Sequence, residues 1–476
     1  MNYSNIGFGC YRIDIKTEEH CHALRKAISE GVNVIDTSAN YADGSSELLV
    51  GRVIGDMISE KNITREEITI ITKGGYIQGQ NYRFALKLKE EGKPFEEVVE
   101  VQDKLWHCIS PDFLQDQLNR QLQRLNTDYI DSYLLHNPEY YLDWAKANNI
   151  QLDEAREIYY ERIRKSFLFL EEKVAEGKIR SYGISSNTFP VYSDNYSFTS
   201  LEKVIDVANS VSANNNFKVI QLPFNLFEAG AITIKNQINN TETVLELAYK
   251  NNLKVLVNRP LNAIASKGLI RLAEFRSDAF QEKDFIRQIK LVSLMEDDLI
   301  TEKIPGEDLN DDEINKLKKH MVFGKLIEEN WKFFGSIEHY NDMITQLFAP
   351  KIDFMIRFFD EKIRNENTKE FFGRYIKECY KMLNFVSNYY KMRAEKRSRF
   401  INSIINKDLD KKFHDLTLSQ KAILLLNSVK GVSCVLAGMR KEKYVEDVIK
   451  ILNKKDIANA EVIIRKVSEE ILTAET

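Results

Sequence analysis

The chain is sparing in the residues that break, staple or bury a segment in lipid. Only 8 of its 476 residues are proline and 20 are glycine, which excludes collagen-like and low-complexity architecture. Its 5 cysteines (Cys10, Cys21, Cys108, Cys379 and Cys434) lie far apart with no Cys-x-x-Cys pair, so a disulfide scaffold is excluded. No apolar run is long enough for a membrane span, and the opening MNYSNIGFGC lacks the charged start and apolar stretch of a leader. A cytoplasmic protein with reduced thiols is expected. Neither sign of charge dominates: 67 Lys and Arg face 71 Asp and Glu, a net charge of −4, so nothing global draws the chain to nucleic acid or an anionic membrane. There is no G-x4-G-K-[ST] loop and no G-x-S-x-G elbow, the usual apparatus of phosphoryl transfer and serine hydrolysis. No long motif recurs, which argues against a solenoid.

What is present is a globular composition, 43% hydrophobic and 29% charged, with short β-type runs alternating with amphipathic stretches. The strand candidates are Ile6–Ile13, Val32–Thr37, Ile68–Lys73, Tyr129–His136, Ser181–Ser185, Lys218–Leu222, Lys254–Asn258 and Val432–Ala437. Helical patterns separate them at Glu18–Glu30, Ser46–Ser59, Asp112–Leu125, Glu154–Glu176, Leu201–Ser210, Thr243–Lys250 and Ser419–Val429. Strict alternation implies a parallel sheet, and eight repeats imply an α/β fold of the (β/α)8 TIM-barrel type.

Such a barrel takes about 250 residues, so the chain carries additions. They follow Lys73, His136 and, longest of all, strand seven, from Pro260 to Leu418. Segments after barrel strands emerge on the catalytic face, so the extra mass is expected around the mouth. The expected division is 1–275 with 411–476 as the barrel, and 276–410 as a mainly helical insertion, a lid or interaction subdomain. Within it, Ile352, Met355, Ile356, Phe359 and Ile363 form one apolar stripe, and Phe372, Tyr375, Ile376, Cys379, Leu383 and Val386 another; both read as core packing. The acidic stretch Gly306–Glu313 and the basic run Lys391–Arg399 read as solvated surface.

The densest chemical signal begins in strand two, VNVIDTSANY, where Asp36 at a strand end is followed five residues later by Tyr41. Strand three ends ITKGG and delivers Lys73; strand four ends LLHNP and delivers His136. Strand ends converge at a barrel mouth, so four residues distant in sequence can meet. A nearby ammonium favours the phenolate of a tyrosine and eases proton donation to a developing alkoxide, and Lys73 would be that cation. Asp36 would hold the ammonium, and a neutral His136 would donate to the substrate oxygen or relay a proton. The quartet suits proton transfer coupled to hydride transfer at a carbonyl.

In order and spacing these residues resemble the aldo-keto reductase family, whose catalytic tetrad is Asp, Tyr, Lys and His on these strands. The resemblance covers about residues 5–75, 110–275 and 415–450. It implies Asp36, Tyr41, Lys73 and His136 as catalytic residues. Gly7-Phe8-Gly9-Cys10-Tyr11 is similar to the family's first-strand glycine motif, which implies Gly9, Cys10 and Tyr11 beside the cofactor's ribose and pyrophosphate. GKIRSYGISSN (177–187) implies Ser185 with either Ser186 or Asn187 at the nicotinamide carboxamide, an extra serine leaving the pair open. Gln221 matches the glutamine that completes this contact, and Arg259, Pro260, Leu261 and Asn262 occupy the pyrophosphate loop. LAGMRKEKYVEDV (436–448) resembles the strand-eight loop and helix around the adenosine phosphate, which implies Gly438, Arg440, Tyr444 and Asp447. Here a position often basic is Tyr444, and the family's terminal Glu-Asn reads Asp447-Val448. NADP(H) or NAD(H) is implied, with a lean to NADP(H) because Arg440 and Lys441 stand at a helix start. The N-terminal hairpin that closes the barrel floor in family members is not expected, since five residues precede the first strand.

The expected function is an NAD(P)(H)-dependent oxidoreductase interconverting a carbonyl (aldehyde, ketone or sugar) and an alcohol, with Tyr41 as general acid or base. The alternative is a cofactor-binding, redox-sensing regulatory or partner-binding subunit with little turnover, docking a protein through 276–410. A third reading is an enzyme whose lid accepts a macromolecular or carrier-bound substrate. No metal is expected: adjacent residues of His20-Cys21-His22 point in different directions on a helix and cannot chelate together.

Overall fold

A computed structural model describes residues 3–265, 268–455 and 457–475. The chain forms two compact units, Met1–Leu261 with Asp408–Thr476, and Asn262–Lys407. No described helix is long and apolar enough to cross a membrane.

The first unit is a closed barrel of eight parallel strands: β1 (Ile6–Gly9), β2 (Val34–Asp36), β3 (Thr69–Gly74), β4 (Ile130–His136), β5 (Ile179–Ser185), β6 (Phe217–Pro223), β7 (Lys254–Asn258) and β8 (Val432–Ala437). The expected α/β architecture, a (β/α)8 barrel with a large helical addition between β7 and β8, is the one observed. The strands are apolar and β-branched because parallel strands in a barrel are covered on both faces; every residue of β2, β3 and β4 is buried. The first strand is shorter than its pattern, ending at Gly9 rather than Ile13.

Helices α1 (Glu18–Ser29), α2 (Ser45–Ser59), α3 (Pro111–Leu125), α4 (Leu152–Ala175), α5 (Leu201–Val211), α6 (Val244–Lys250), α7 (Leu418–Asn427) and α8 (Glu442–Ile449) return the chain between strands and beyond β8. Their boundaries follow local chemistry. Pro111 opens α3 and Asn126, at φ 49°, closes it in the left-handed region; Thr243 with Glu246 and Thr417 with Gln420 form capping boxes on α6 and α7.

Inside the barrel, Val34, Ile71, Leu134, Val219, Leu256, Cys434 and Leu436 form one layer, with Tyr3 packed partly buried against it. Tyr3 also lies beside Ser132 and Asp131 on β4, and its phenol is pushed up by burial.

The stretch after β3 folds into a helix (Gly79–Glu90) and an antiparallel sheet of Tyr76–Ile77, Leu105–His107 and Val99–Gln102. A short helix, Tyr140–Ala147, follows β4. The second unit has a hairpin, Asn262–Ala265 with Gly268–Arg271, and then helices ending in one of 43 residues, Glu366–Asp408. Both apolar stripes lie in its core: Ile352, Met355, Phe359, Ile363 and all six residues of the second stripe are buried, with Ile356 at the edge. Phe359 stacks on Phe372 at 3.6 Å, joining the last two helices. Glu296 is buried here with Tyr375 donating to it at 2.8 Å and the Phe323 N–H at 2.6 Å, a carboxylate used as an internal cap.

One position tests the barrel directly. Pairing between β5 and β6 shifts register between Tyr182 and Gly183, and a Cβ on Gly183 would lie 1.8 Å from the Val219 carbonyl oxygen. Gly183→Ala is therefore expected to force β5 and β6 apart at a cost of about 3 kcal/mol or more. Urea denaturation checks this; a variant as stable as the parent would show that the two strands separate at no cost.

Candidate active site

Asp36, Lys73 and His136 are the last or near-last residues of β2, β3 and β4, and Tyr41 follows β2 on a short turn. After Tyr41, Ala42, Asp43 and Gly44 take φ of 48°, 55° and 85°. Three consecutive left-handed residues are costly for Ala and Asp. They reverse the chain at once, so the ring of Tyr41 hangs over the strand ends. Asp43 is secured there by the Gln80 N–H, 3.0 Å from its carboxylate.

The structure brings all four residues together. Lys73 is fully buried, with Nζ 2.8 Å from both carboxylate oxygens of Asp36 and 2.8 Å from the Thr37 carbonyl. Its third direction leads to the Tyr41 hydroxyl at 3.3 Å. The Tyr41 and His136 rings meet edge to face at 6.0 Å. The backbone of Lys73 is fixed too, its carbonyl accepting from Gln121 Nε2 at 3.0 Å.

Burial decides the electrostatics. It pushes the Tyr41 phenol well above its usual value, and the Asp36 carboxylate adds to the rise. The phenol therefore keeps its proton in the resting site. Burial, with the charge of Lys73, holds His136 well below its ordinary range, so the imidazole is neutral. His136 Nδ1 lies 3.0 Å from the Ser38 hydroxyl, and Nε2 makes no hydrogen bond among the described residues.

A second ring of residues is continuous with the first. Gln221 at the end of β6 donates from Nε2 to Asp36 at 2.8 Å, and its Oε1 accepts from the Ser185 hydroxyl at 2.9 Å. The amide thus joins Asp36 to the end of β5. Ser186 turns away, its hydroxyl in a network with Thr188 and Thr199 at 3.1 and 3.2 Å. Asn187 has an exposed side chain, and its N–H donates to Glu139 at 2.8 Å. Of the two open partners for Ser185, Asn187 is the accessible one. Asn258 Oδ1 and Arg259 Nε are buried without a partner, while the Arg259 guanidinium also reaches Glu228 at 2.8 Å. Arg259 sits at φ 52°, followed by buried Pro260 and half-buried Leu261. Asn262 begins the second unit, where its side chain accepts from Arg271 at 3.2 Å.

Gly9 pairs with Asp36 across β1 and β2, and the Cys10 N–H donates to the Asp36 carbonyl at 2.9 Å. The Cys10 thiol is buried and pushed up, which makes it a packing group. Tyr11 is 65% exposed and lies edge-on to Tyr41 at 5.1 Å. After β8, Gly438 is exposed and a Cβ there would meet nothing within 4 Å. Arg440 is half-buried with no ion pair among the described residues, whereas Lys441 pairs with Glu19 at 3.0 Å. Tyr444 lies half-buried in the first turn of α8. Asp447 accepts from Ser419 at 2.7 Å and from Gln420 Nε2 at 3.0 Å, tying α8 to the start of α7.

Two neighbours of the quartet escaped the sequence reading. Ser38 is two residues past Asp36, and strand periodicity alone places it on the same side. Tyr76, whose ring meets His136 at 4.7 Å, comes from the added sheet and has no such signal.

The donor set suits a nicotinamide dinucleotide. Ser185, Gln221 and Asn187 offer both donors and acceptors to a carboxamide. The uncommitted Arg440 at the start of α8, beside open space at Gly438, offers a cation to a phosphate.

Comparison with known proteins follows the same line. The aldo/keto reductase family model matches residues 5–294. The chain is 28% identical over 194 residues to the NADH-specific methylglyoxal reductase of Escherichia coli K12, covering 39% of this chain and 49% of that protein. It is 27% identical over 188 residues to the NAD(P)H-dependent D-xylose reductase of Scheffersomyces stipitis, covering 38% and 48%. A solved aldo-keto reductase from Bacillus halodurans aligns at 16% identity and a TM-score of 0.47, over 97% of this chain and 91% of that one. The chain spans about half the length of the curated relatives it matches. With the family match running over more than half of its residues, this chain belongs to the aldo/keto reductase family.

Proposed function

We propose that the chain is an NAD(P)(H)-dependent oxidoreductase that interconverts a small carbonyl compound and its alcohol. The observation that carries this reading is the buried line Asp36, Lys73, Tyr41, with a phenol 3.3 Å from Lys73 Nζ and a neutral imidazole beside it. The relatives named for reducing methylglyoxal and xylose support it.

A nicotinamide held by Ser185 and Asn187 would supply or accept the hydride. Tyr41 holds its proton firmly in the resting site, because burial disfavours the phenolate. An alkoxide forming at the substrate oxygen is a stronger base than a phenolate and takes that proton. Lys73, 3.3 Å away, then stabilises the new phenolate, and Asp36 keeps Lys73 in place. The Ser38 hydroxyl lies 2.7 Å from Asn40 Oδ1 and 3.0 Å from His136 Nδ1; with its one hydrogen bond donated to Nδ1 instead of Asn40, the imidazole carries its hydrogen on Nε2 and donates to the carbonyl oxygen. In the oxidative direction the same groups act in reverse.

Ser185 and Asn187, with Gln221 behind Ser185, would hold the carboxamide; Arg440 would meet a 2′-phosphate, which supports NADP(H) over NAD(H). Lys441 is already engaged by Glu19, so Arg440 carries that preference without it. Residues 276–410 we assign to substrate or partner selection, because specificity in barrel enzymes varies with the loops and not with the chemistry.

Two substitutions test the reading. Tyr41→Phe removes the proton donor and is expected to lower turnover about 10²- to 10⁴-fold, with cofactor affinity, read by nicotinamide fluorescence, nearly unchanged. Loss of affinity with unchanged turnover would contradict the assignment. Arg440→Ala is expected to weaken NADPH binding about tenfold and leave NADH binding as it was; equal weakening of both would remove the 2′-phosphate role.

A further inference from the structure

Glu139 lies three residues past His136, at the entrance to the helix Tyr140–Ala147, and is 3% exposed. One oxygen of its carboxyl, Oε1, accepts the Asn187 N–H at 2.8 Å; the other, Oε2, is buried with no hydrogen-bond partner among the described residues. It has no ion-pair partner among the described residues. A buried carboxyl without a cation is costly and uncommon.

Its location accounts for it. The ends of β4 and β5 are joined twice: the Asn137 N–H donates to the Ser185 carbonyl at 2.7 Å, and the Asn187 N–H donates to Glu139. On the far side of the same turn, the Ser186 N–H donates to the Gln221 carbonyl at 3.0 Å, and the Ser186 hydroxyl joins Thr199, itself 2.9 Å from the Tyr159 hydroxyl. The turn that presents Ser185 and Asn187 is therefore held by Gln221 on one side and by Glu139 on the other. We infer that Glu139 is a positioning residue, whose ionised carboxylate fixes the 185–188 turn in the geometry that receives the nicotinamide carboxamide. This rests on the oxidoreductase reading above.

The ionisation of this group falls in a measurable range. Burial is the largest influence and raises the Glu139 carboxyl to about 7, against the downward pull of backbone N–H groups, that of Asn187 among them. The charged and titratable groups facing it are Asp143 on its own helix, Tyr159 on α4 and Tyr76 from the added sheet. None of them is basic. His136 and His107, the buried imidazoles nearby, are both pushed down, His107 to about 4, and do not titrate near neutrality. A carboxylate accepts an N–H more strongly than a neutral carboxyl does, so cofactor affinity should rise with pH through about 7. Stability runs the other way. The folded value lies above the ordinary one, so the folded state holds the proton longer than the unfolded chain, and stability falls as pH climbs from about 4.5 to about 7.

The experiment measures the Kd for NADPH and NADH by nicotinamide fluorescence, and the urea unfolding midpoint, at pH 6 and pH 8, for the full chain and for Glu139→Gln. The parent should bind about fivefold more tightly at pH 8 than at pH 6. Glu139→Gln should lose that step and bind at both pH values as the parent does at pH 6, while unfolding at higher urea than the parent at pH 8. The 2′-phosphate of NADPH titrates in this range with either protein, so the pH step is read on NADH, whose phosphates keep their charge from pH 6 to pH 8. A purely structural role would lower affinity and stability together, and that result, or a pH step retained in Glu139→Gln or missing from the parent, would overturn the inference. A parent that binds neither nucleotide would overturn the oxidoreductase reading and this inference with it.

Discussion

A lysine ammonium without solvent, enclosed at the end of a barrel strand, is the constraint around which the rest of the site is arranged. Lys73 has no exposed surface, and removing a charge of this kind from water costs several kcal/mol unless it is paired and hydrogen-bonded. The barrel supplies both oxygens of Asp36 and the Thr37 carbonyl, all from β2 and the residue after it. Asp36 in turn needs more than Lys73, and Gln221 from β6 reaches across the barrel to donate to it. Ser185 completes the chain by donating to Gln221. Groups from four strands are thus linked through one cation, and the only direction left to Lys73 points to the Tyr41 hydroxyl.

Holding such a network requires strands of fixed register and a turn of fixed shape. Glycine appears where neighbouring atoms leave no room: at Gly7 on β1, where a Cβ would meet Leu436 at 2.8 Å, as well as at Gly183. Strain appears next to the reactive hydroxyl, in the left-handed run after Tyr41. The surrounding packing absorbs that cost, and the result is a phenol placed by backbone geometry rather than by a flexible side chain.

Much of this was legible in the sequence because it depends on local order. The limits of β7 and β8 coincide with their apolar runs, and Asp36, Lys73 and His136 could be placed at one mouth because each ends an apolar strand. What escaped depends on burial or on distant contacts. The direction of the Tyr41 shift follows from desolvation, which spacing does not encode. Nothing in the sequence pattern singles out Glu139; its contact with the Asn187 N–H and its burial without a cation among the described residues give it significance. Asp447 matches a motif position, and the structure shows its carboxylate engaged with Ser419 and Gln420. The hairpin that opens the second unit and the small sheet carrying Tyr76 arise from short segments whose pairing no periodicity announces.

The central claim is that the Asp36–Lys73–Tyr41 line serves hydride transfer at a carbonyl carbon. The most direct measurement is isotopic: incubate the protein with nicotinamide cofactor deuterated at C4 and a panel of small aldehydes, ketones and aldoses, and locate the label by mass spectrometry. The account predicts deuterium on the carbinol carbon of an alcohol product, with one equivalent of cofactor oxidised. Label that stays on the bound cofactor across the whole panel, or that is lost to water, would contradict it.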